Sequence, residues 1–191
     1  MRFCTSGITF GEIIMDSKWI EIFNGKDLSG WRMRHTDREH AWVAHDGILE
    51  NTKHAVDIIT EDEFGDFDLH IEYLFLEGSN SGIYLRGRYE IQVFDSLGKT
   101  YDYPAENGAL YNQKRPDVEA TNPAGEWQIM DITLIEMVLT VTLNGKKIHD
   151  NVNIDGPTGG QLGDDNPAKG PLMLQGDHGP VSFRNIRVRE C

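Results

Sequence analysis

The chain has 191 residues, with 18 Lys and Arg against 31 Asp and Glu, for a formal charge of −13. An acidic surface repels phosphate backbones, so no nucleic-acid partner is expected. At 39% hydrophobic and 26% charged it has apolar material for a globular core, and no apolar run approaches the roughly 20 residues of a membrane span.

Residues 1–15 carry one early Arg and no continuous apolar stretch, so they do not read as a signal peptide. They are expected to be a disordered N-terminal extension, with residues 16–191 forming a single domain and the cytoplasm as the default location. Cys4 and Cys191 stand at opposite ends and match neither a disulfide framework nor a metal spacing. Two unpaired thiols are expected over a bridge between the termini.

From residue 19 onward, short β-prone runs alternate with turn residues. WIEIF (19–23) alternates, and AWVAHDGILEN (41–51) folds around Asp46-Gly47, a two-residue hairpin signal. In DFDLHIEYLFL (66–76), Phe67, Leu69, Ile71 and Tyr73 share one face while Asp68, His70 and Glu72 share the other. Residues 127–150 read as two strands and a third after the Asn144-Gly145 turn. In VSFRNIRVRE (181–190) the apolar parity changes at Asn185, which predicts a bulge. No helical period is sustained and no repeat occurs. This pattern predicts an all-β, antiparallel two-sheet sandwich or barrel. The irregular stretches 96–126 and 151–170 exceed about 12–15 residues, a length that is usually functional or disordered. The first carries Tyr101, Tyr103, Asn107, Tyr111 and Asn112, aromatic and amide groups suited to stacking on sugar rings and bonding their hydroxyls.

The segment NSGIYLRGRYEIQVFDS (80–96) concentrates polar groups between aliphatics. A three-residue loop at 87–89 pairs Arg86 with Glu90, Tyr84 with Gln92, Leu85 with Ile91 and Ile83 with Val93. All the polar groups then share one face, with paired Cβ atoms roughly 4.5–5.5 Å apart. Arg86 beside Glu90 is expected to keep that carboxylate ionised. Asp95 closes the strand. A second cluster, LQGDHGPVSFRNI (174–186), places Gln175, Asp177 and His178 in a tight connection, where an imidazole can exchange protons near neutrality. His-x-His and Glu-x-x-His spacings are missing from the sequence, as are a Gly-x-Ser-x-Gly nucleophile motif and a phosphate loop, so neither a metal nor a cofactor is expected.

Taken in order, FNGKDLSGW (23–31), WVAHDGILE (42–50), DFDLHIEY (66–73), NSGIYLRG (80–87), YEIQVFDS (89–96), NGALYNQ (107–113), GEWQ (125–128), LNGKKI (143–148) and GPLMLQGDHGPVSFRNIRV (170–188) resemble the 3-keto-disaccharide hydrolase domain family over about residues 18–190. The resemblance implies a concanavalin A-like jelly roll with a concave face that holds carbohydrate. It also implies cleavage of glucosides that carry a ketone at carbon 3, by elimination and hydration or by direct hydrolysis. Gln92 breaks the Glu-x-Asp-x-x-Glu arrangement of an ordinary glucanase. On this resemblance Glu90 is the leading acid or base, oriented by Arg86, and His178 is the alternative proton shuttle. Asp95 is either a second carboxylate or an anchor for the long loop. Tyr84, Gln92, Gln175, Tyr111 and Asn80 bind substrate, and Trp127 is either a stacking surface or core. A non-catalytic carbohydrate-binding module and a laminin-G-like interaction sandwich are the competing readings, since a fold does not fix a function.

Overall fold

The computed structural model describes residues 18–191; the expectations for residues 1–15 lie outside them. Among the described residues thirteen strands run in chain order: β1 (Ile20–Glu21), β2 (Trp31–Met33), β3 (Trp42–His45), β4 (Ile48–Asn51), β5 (Ile58–Thr60), β6 (Phe67–Phe75), β7 (Asn80–Leu85), β8 (Tyr89–Phe94), β9 (Gln128–Ile135), β10 (Val138–Leu143), β11 (Lys146–Asn153), β12 (Met173–Leu174) and β13 (Val181–Glu190). They form two antiparallel sheets. The larger has the order β11-β10-β9-β6-β13-β4-β3 with β1 paired to β13, and the smaller has the order β2-β5-β12-β7-β8. No helix among the described residues is long and apolar enough to cross a membrane.

Period-2 alternation builds the larger sheet. Phe67, Leu69, Ile71, Tyr73 and Phe75 of β6 point into the core beside Met130, Ile132 and Leu134 of β9 and Leu139, Val141 and Leu143 of β10. The bulge in β13 is present: its register to β6 shifts between Arg184 and Arg187, with Asn185 at φ 51°. That extra residue lets Val181 and Phe183 before it, and Ile186 and Val188 after it, all reach the core. The Asp46-Gly47 and Asn144-Gly145 turns both take positive φ, as two-residue hairpin loops require. Strands β2 and β5 lay outside the sequence reading. Each is only three residues long, too short to show a period, and they become strands by pairing Trp31–Met33 with Ile58–Thr60. Cys191 is disulfide-bonded, so the expectation of two unpaired thiols does not hold.

The smaller sheet turns Ile83, Leu85, Tyr89, Ile91 and Val93 toward the core. Its other face is covered as well, because β7 and β8 are buried along almost their whole length. Tyr84 packs there with Ile59 and Met173, and Leu162 from the second long loop lies against them. The covered polar face of this sheet is where the candidate site residues meet.

Candidate functional site

The β7–β8 hairpin has a three-residue loop, but it spans residues 86–88 and not 87–89. The observed partners are Tyr84 with Glu90, Gly82 with Gln92, Ile83 with Ile91 and Leu85 with Tyr89. The register differs from expectation by two residues, an even number, so the sorting of polar and aliphatic faces survives while the partners change. Arg86 is the residue displaced. It sits in the loop at φ 50°, and its guanidinium turns away from Glu90. It donates to Gly65 O at 3.0 Å, to Glu136 O at 2.9 Å and to Asp66 Oδ1 at 2.9 Å, lining a separate cavity of about 630 Å³. Arg86 is therefore a structural tie at the far end of the hairpin, not the orienting partner of Glu90.

Without Arg86 beside it, Glu90 has the opposite ionisation from the one expected. Its side chain is buried, and burial pushes its carboxyl up to about 8; the Tyr84 hydrogen bond opposes that rise, while Asp177 and Asp57 add to it. Tyr84 donates from its hydroxyl to Glu90 Oε2 at 2.9 Å. Gln92, with its amide nitrogen turned toward the two acceptors, donates to Glu90 Oε1 at 2.9 Å and to Ser81 O at 3.1 Å. Both carboxyl oxygens are thus held from the sheet side. Gly82 makes the room: a Cβ there would lie 2.4 Å from Glu90 Oε1. Burial and the neighbouring carboxyl raise the Tyr84 hydroxyl above its ordinary range, which keeps it a proton donor.

Two loops roof this face, and both are pinned to β8 through its backbone. From the 95–127 connection, Tyr111 N donates to Glu90 O at 3.0 Å, Gly108 N to Gln92 O at 2.7 Å, and Ala109 O accepts from Gln92 N at 2.9 Å. His149 on β11 braces this segment from below through a 2.8 Å bond from Nε2 to Gly108 O. From the 154–172 connection, Thr158 Oγ1 accepts from Glu90 N at 2.9 Å. A pocket of about 350 Å³ remains beneath them. Asn80, Tyr84, Glu90, Gln92 and Gln175 line one side, while Phe94, Tyr101, Tyr103 and Tyr111 form an aromatic wall. Tyr103 meets Tyr111 edge to face at 5.9 Å. His178 stands at the half-exposed rim, hydrogen-bonded through Nδ1 to Asp177.

Seven of the expected residues therefore converge: Asn80, Tyr84, Glu90, Gln92, Tyr111, Gln175 and His178. Three do not. Asp95 is turned out of the pocket, where Gly78 N and the Lys99 ammonium bond its carboxylate and hold it below its ordinary range. Trp127 lies under the Arg184 guanidinium, 3.8 Å from its ring centre, on the outer face of the larger sheet. Arg86 is the third. The residues missed at the sequence level are Gly82, Gly159, Gly160, Phe94 and Ala105, together with Asp57, whose charge presses on Glu90 alongside that of Asp177. Phe94 had a readable signal, since it shares parity with Glu90 and Gln92. Among the described residues, no three His, Cys, Asp or Glu side chains gather as a metal-binding group.

Comparison with known proteins identifies the family of the chain. The model of the 3-keto-alpha-glucoside-1,2-lyase-like domain matches residues 18–189. The chain belongs to that family. A 3-keto-disaccharide hydrolase from Bacteroides thetaiotaomicron is 27% identical over 143 residues, covering 67% of this chain and 48% of the relative. The chain thus spans about half the length of the curated relative it matches. A crystal structure of a candidate glycosyl hydrolase from Parabacteroides distasonis is 31% identical, with TM-score 0.74 over 91% of this chain and 84% of that one. The Bacillus licheniformis β-glucanase is 13% identical with TM-score 0.56 over 92% of this chain, a likeness of fold alone. The architecture is the expected jelly-roll sandwich.

Proposed function

We propose that this domain cleaves glucosides oxidised at carbon 3, with Glu90 as general acid and His178 as base. The observation that carries this reading is the Glu90 carboxyl: buried, pushed up to about 8, and held by Tyr84 and Gln92 at the floor of a pocket of sugar-binding composition. A carboxyl in that range is mostly protonated at neutral pH and can give its proton to a leaving oxygen. Because Tyr84 and Gln92 approach both oxygens from the sheet, the acid proton is directed into the pocket.

The ketone of such a substrate acidifies the hydrogen on carbon 2. His178, oriented by Asp177, takes that proton. The C–H electron pair becomes the carbon 1–carbon 2 double bond, the bond from carbon 1 to the glycosidic oxygen breaks, and that oxygen takes the Glu90 proton. Water then adds its hydroxyl to carbon 1 and a proton returns to carbon 2 from the imidazolium. The remaining water proton restores Glu90, so the net change is hydrolysis. The family membership and the similarity to a 3-keto-disaccharide hydrolase support this choice of substrate. Asn80, Gln175 and Tyr111 supply hydroxyl contacts and ring surface.

The test is release of 3-keto-glucose from a 3-keto-disaccharide by the wild type, Glu90→Gln and His178→Ala, with sugar binding followed by calorimetry. Loss of about 10²–10⁴ in kcat with binding retained is expected for each variant. Wild-type protein that binds the sugar without turning it over would mean a carbohydrate-binding module.

A further inference from the structure

Arg34 follows β2 directly and Asp57 directly precedes β5, at the edge of the smaller sheet. Their backbones are bonded, Arg34 N to Asp57 O at 2.9 Å, and so are their side chains, Arg34 Nη1 to Asp57 Oδ2 at 2.9 Å. The same guanidinium donates to Gly160 O at 2.7 Å and to Gln161 O at 2.9 Å. The second Asp57 oxygen accepts from Gly176 N at 2.9 Å. One ion pair thus grips two segments that both close on Tyr84. Gly160 approaches so tightly that a Cβ would stand 2.7 Å from the Tyr84 hydroxyl oxygen. Gly176 follows Gln175, whose Nε2 lies 3.4 Å from that oxygen. The Asp57 side chain is only 6% exposed and the Arg34 side chain 25%, unlike a loose surface pair. Neither residue lines the pocket.

We propose that Arg34 and Asp57 are positioning residues of this pocket, acting on Tyr84 and Gln175 through Gly160 and Gly176 and on Glu90 through the charge of Asp57. The proposal rests on Glu90 being the working acid. The titratable groups that face Glu90 are Tyr84 on its own hairpin, Asp57 beside β5, Asp177 and His178 after β12, and Tyr101, Tyr103 and Tyr111 on the long loop. Of the two carboxylates among them that press on Glu90, Asp57 carries the bound guanidinium. Arg34 therefore tempers the field at Glu90 as well as holding the wall.

The two functions separate by experiment. The Glu90 carboxyl is titrated by carbon-13 NMR, its signal identified by disappearance in Glu90→Gln. Asp57→Asn removes a negative charge and lowers the midpoint by about one pH unit, while Arg34→Gln leaves Asp57 unneutralised and raises it comparably. Arg34→Lys restores the charge, so the midpoint returns to the wild-type value. One ammonium does not reproduce a fork that meets a carboxylate and two carbonyls, so kcat/KM stays down at least about tenfold. A merely structural pair would move both neutral variants in the same direction or not at all, and that result overturns the proposal. If the neutral variants do not fold, Arg34→Lys with undiminished kcat/KM overturns it. Failure of the function proposed above shows differently: the wild type itself does not turn over the keto-sugar, while the opposed midpoint shifts remain measurable.

Discussion

Tyr84 and Glu90 face each other across the β7–β8 pair, and the phenol donates to the carboxyl over 2.9 Å. That bond alone would lower the Glu90 pKa. Burial outweighs it, so the group sits at about 8. If Glu90 delivers a proton, kcat/KM holds through neutrality and falls about tenfold per pH unit above 8. Tyr84→Phe deletes the stabilising donor and moves that limb to higher pH. Initial rates on a 3-keto-disaccharide between pH 5 and 10 test both, and a rate that climbs through pH 8 would instead make Glu90 the base.

The same burial costs stability. A carboxyl raised in the folded state binds its proton more tightly there than in the unfolded chain, so the native state loses stability as pH rises from 4.5 to 8. Below 4.5 both states are protonated and the penalty vanishes. Glu90→Gln removes it and keeps an acceptor for Tyr84. The variant is expected to be more stable than wild type by about 3 kcal/mol at pH 7, with the gap closing toward pH 4. Urea unfolding at the two pH values checks this, and an equal or lower stability at pH 7 would contradict the buried-carboxyl description.

Gly82→Ala addresses the space that Glu90 occupies. The added methyl would stand 2.4 Å from Oε1 and 3.0 Å from the rest of the carboxyl stem, so the side chain must leave its place between Tyr84 and Gln92. The expected cost is about 1–3 kcal/mol in stability, with a fall of roughly 10²-fold or more in kcat. Pairing Gly82→Ala with Glu90→Gln should recover no activity. Recovery would show that the methyl acts elsewhere.

Alternation made much of the architecture legible before any coordinates. Phe67 to Tyr73, the Asn185 bulge and the Asn144-Gly145 turn follow from period-2 burial and turn chemistry. The polar face of 80–94 was legible for the same reason, since an even register shift preserves faces. The partners within it were not. An Arg at positive φ is uncommon, and the ion-pair logic that set Arg86 against Glu90 had no means of weighing the carbonyls of Gly65 and Glu136. The roof of the pocket was also hidden, because Tyr111, Gly108 and Thr158 hold it by bonds to the backbone of β8, which leave no side-chain pattern. Arg34 and Asp57 are 23 residues apart, and only the pairing of two three-residue strands brings them together.

Arg86 and Asp95 offer the control that separates fold from chemistry. The Arg86 side chain is 3% exposed, and its donors meet three carbonyls and the Asp66 carboxylate. Arg86→Met leaves the buried Gly65 carbonyl without its donor, while the part-exposed Asp66 carboxylate keeps its bond from Glu136 N, so a loss of about 1–3 kcal/mol is expected. The folded fraction should keep the wild-type pH limb near 8, because no Arg86 atom touches the pocket. Asp95→Asn removes the charge that Gly78 N and Lys99 both seek. The Asp95 pKa is depressed in the fold, so its contribution is present above the ordinary Asp range and is lost as pH falls through the native value. Asp95→Asn is therefore expected to raise KM through a looser 95–127 loop with kcat nearly unchanged, and its stability difference from wild type should vanish in acid. A kcat collapse in Asp95→Asn would return that residue to the reacting centre, and a shifted pH limb in Arg86→Met would return Arg86 to the neighbourhood of Glu90.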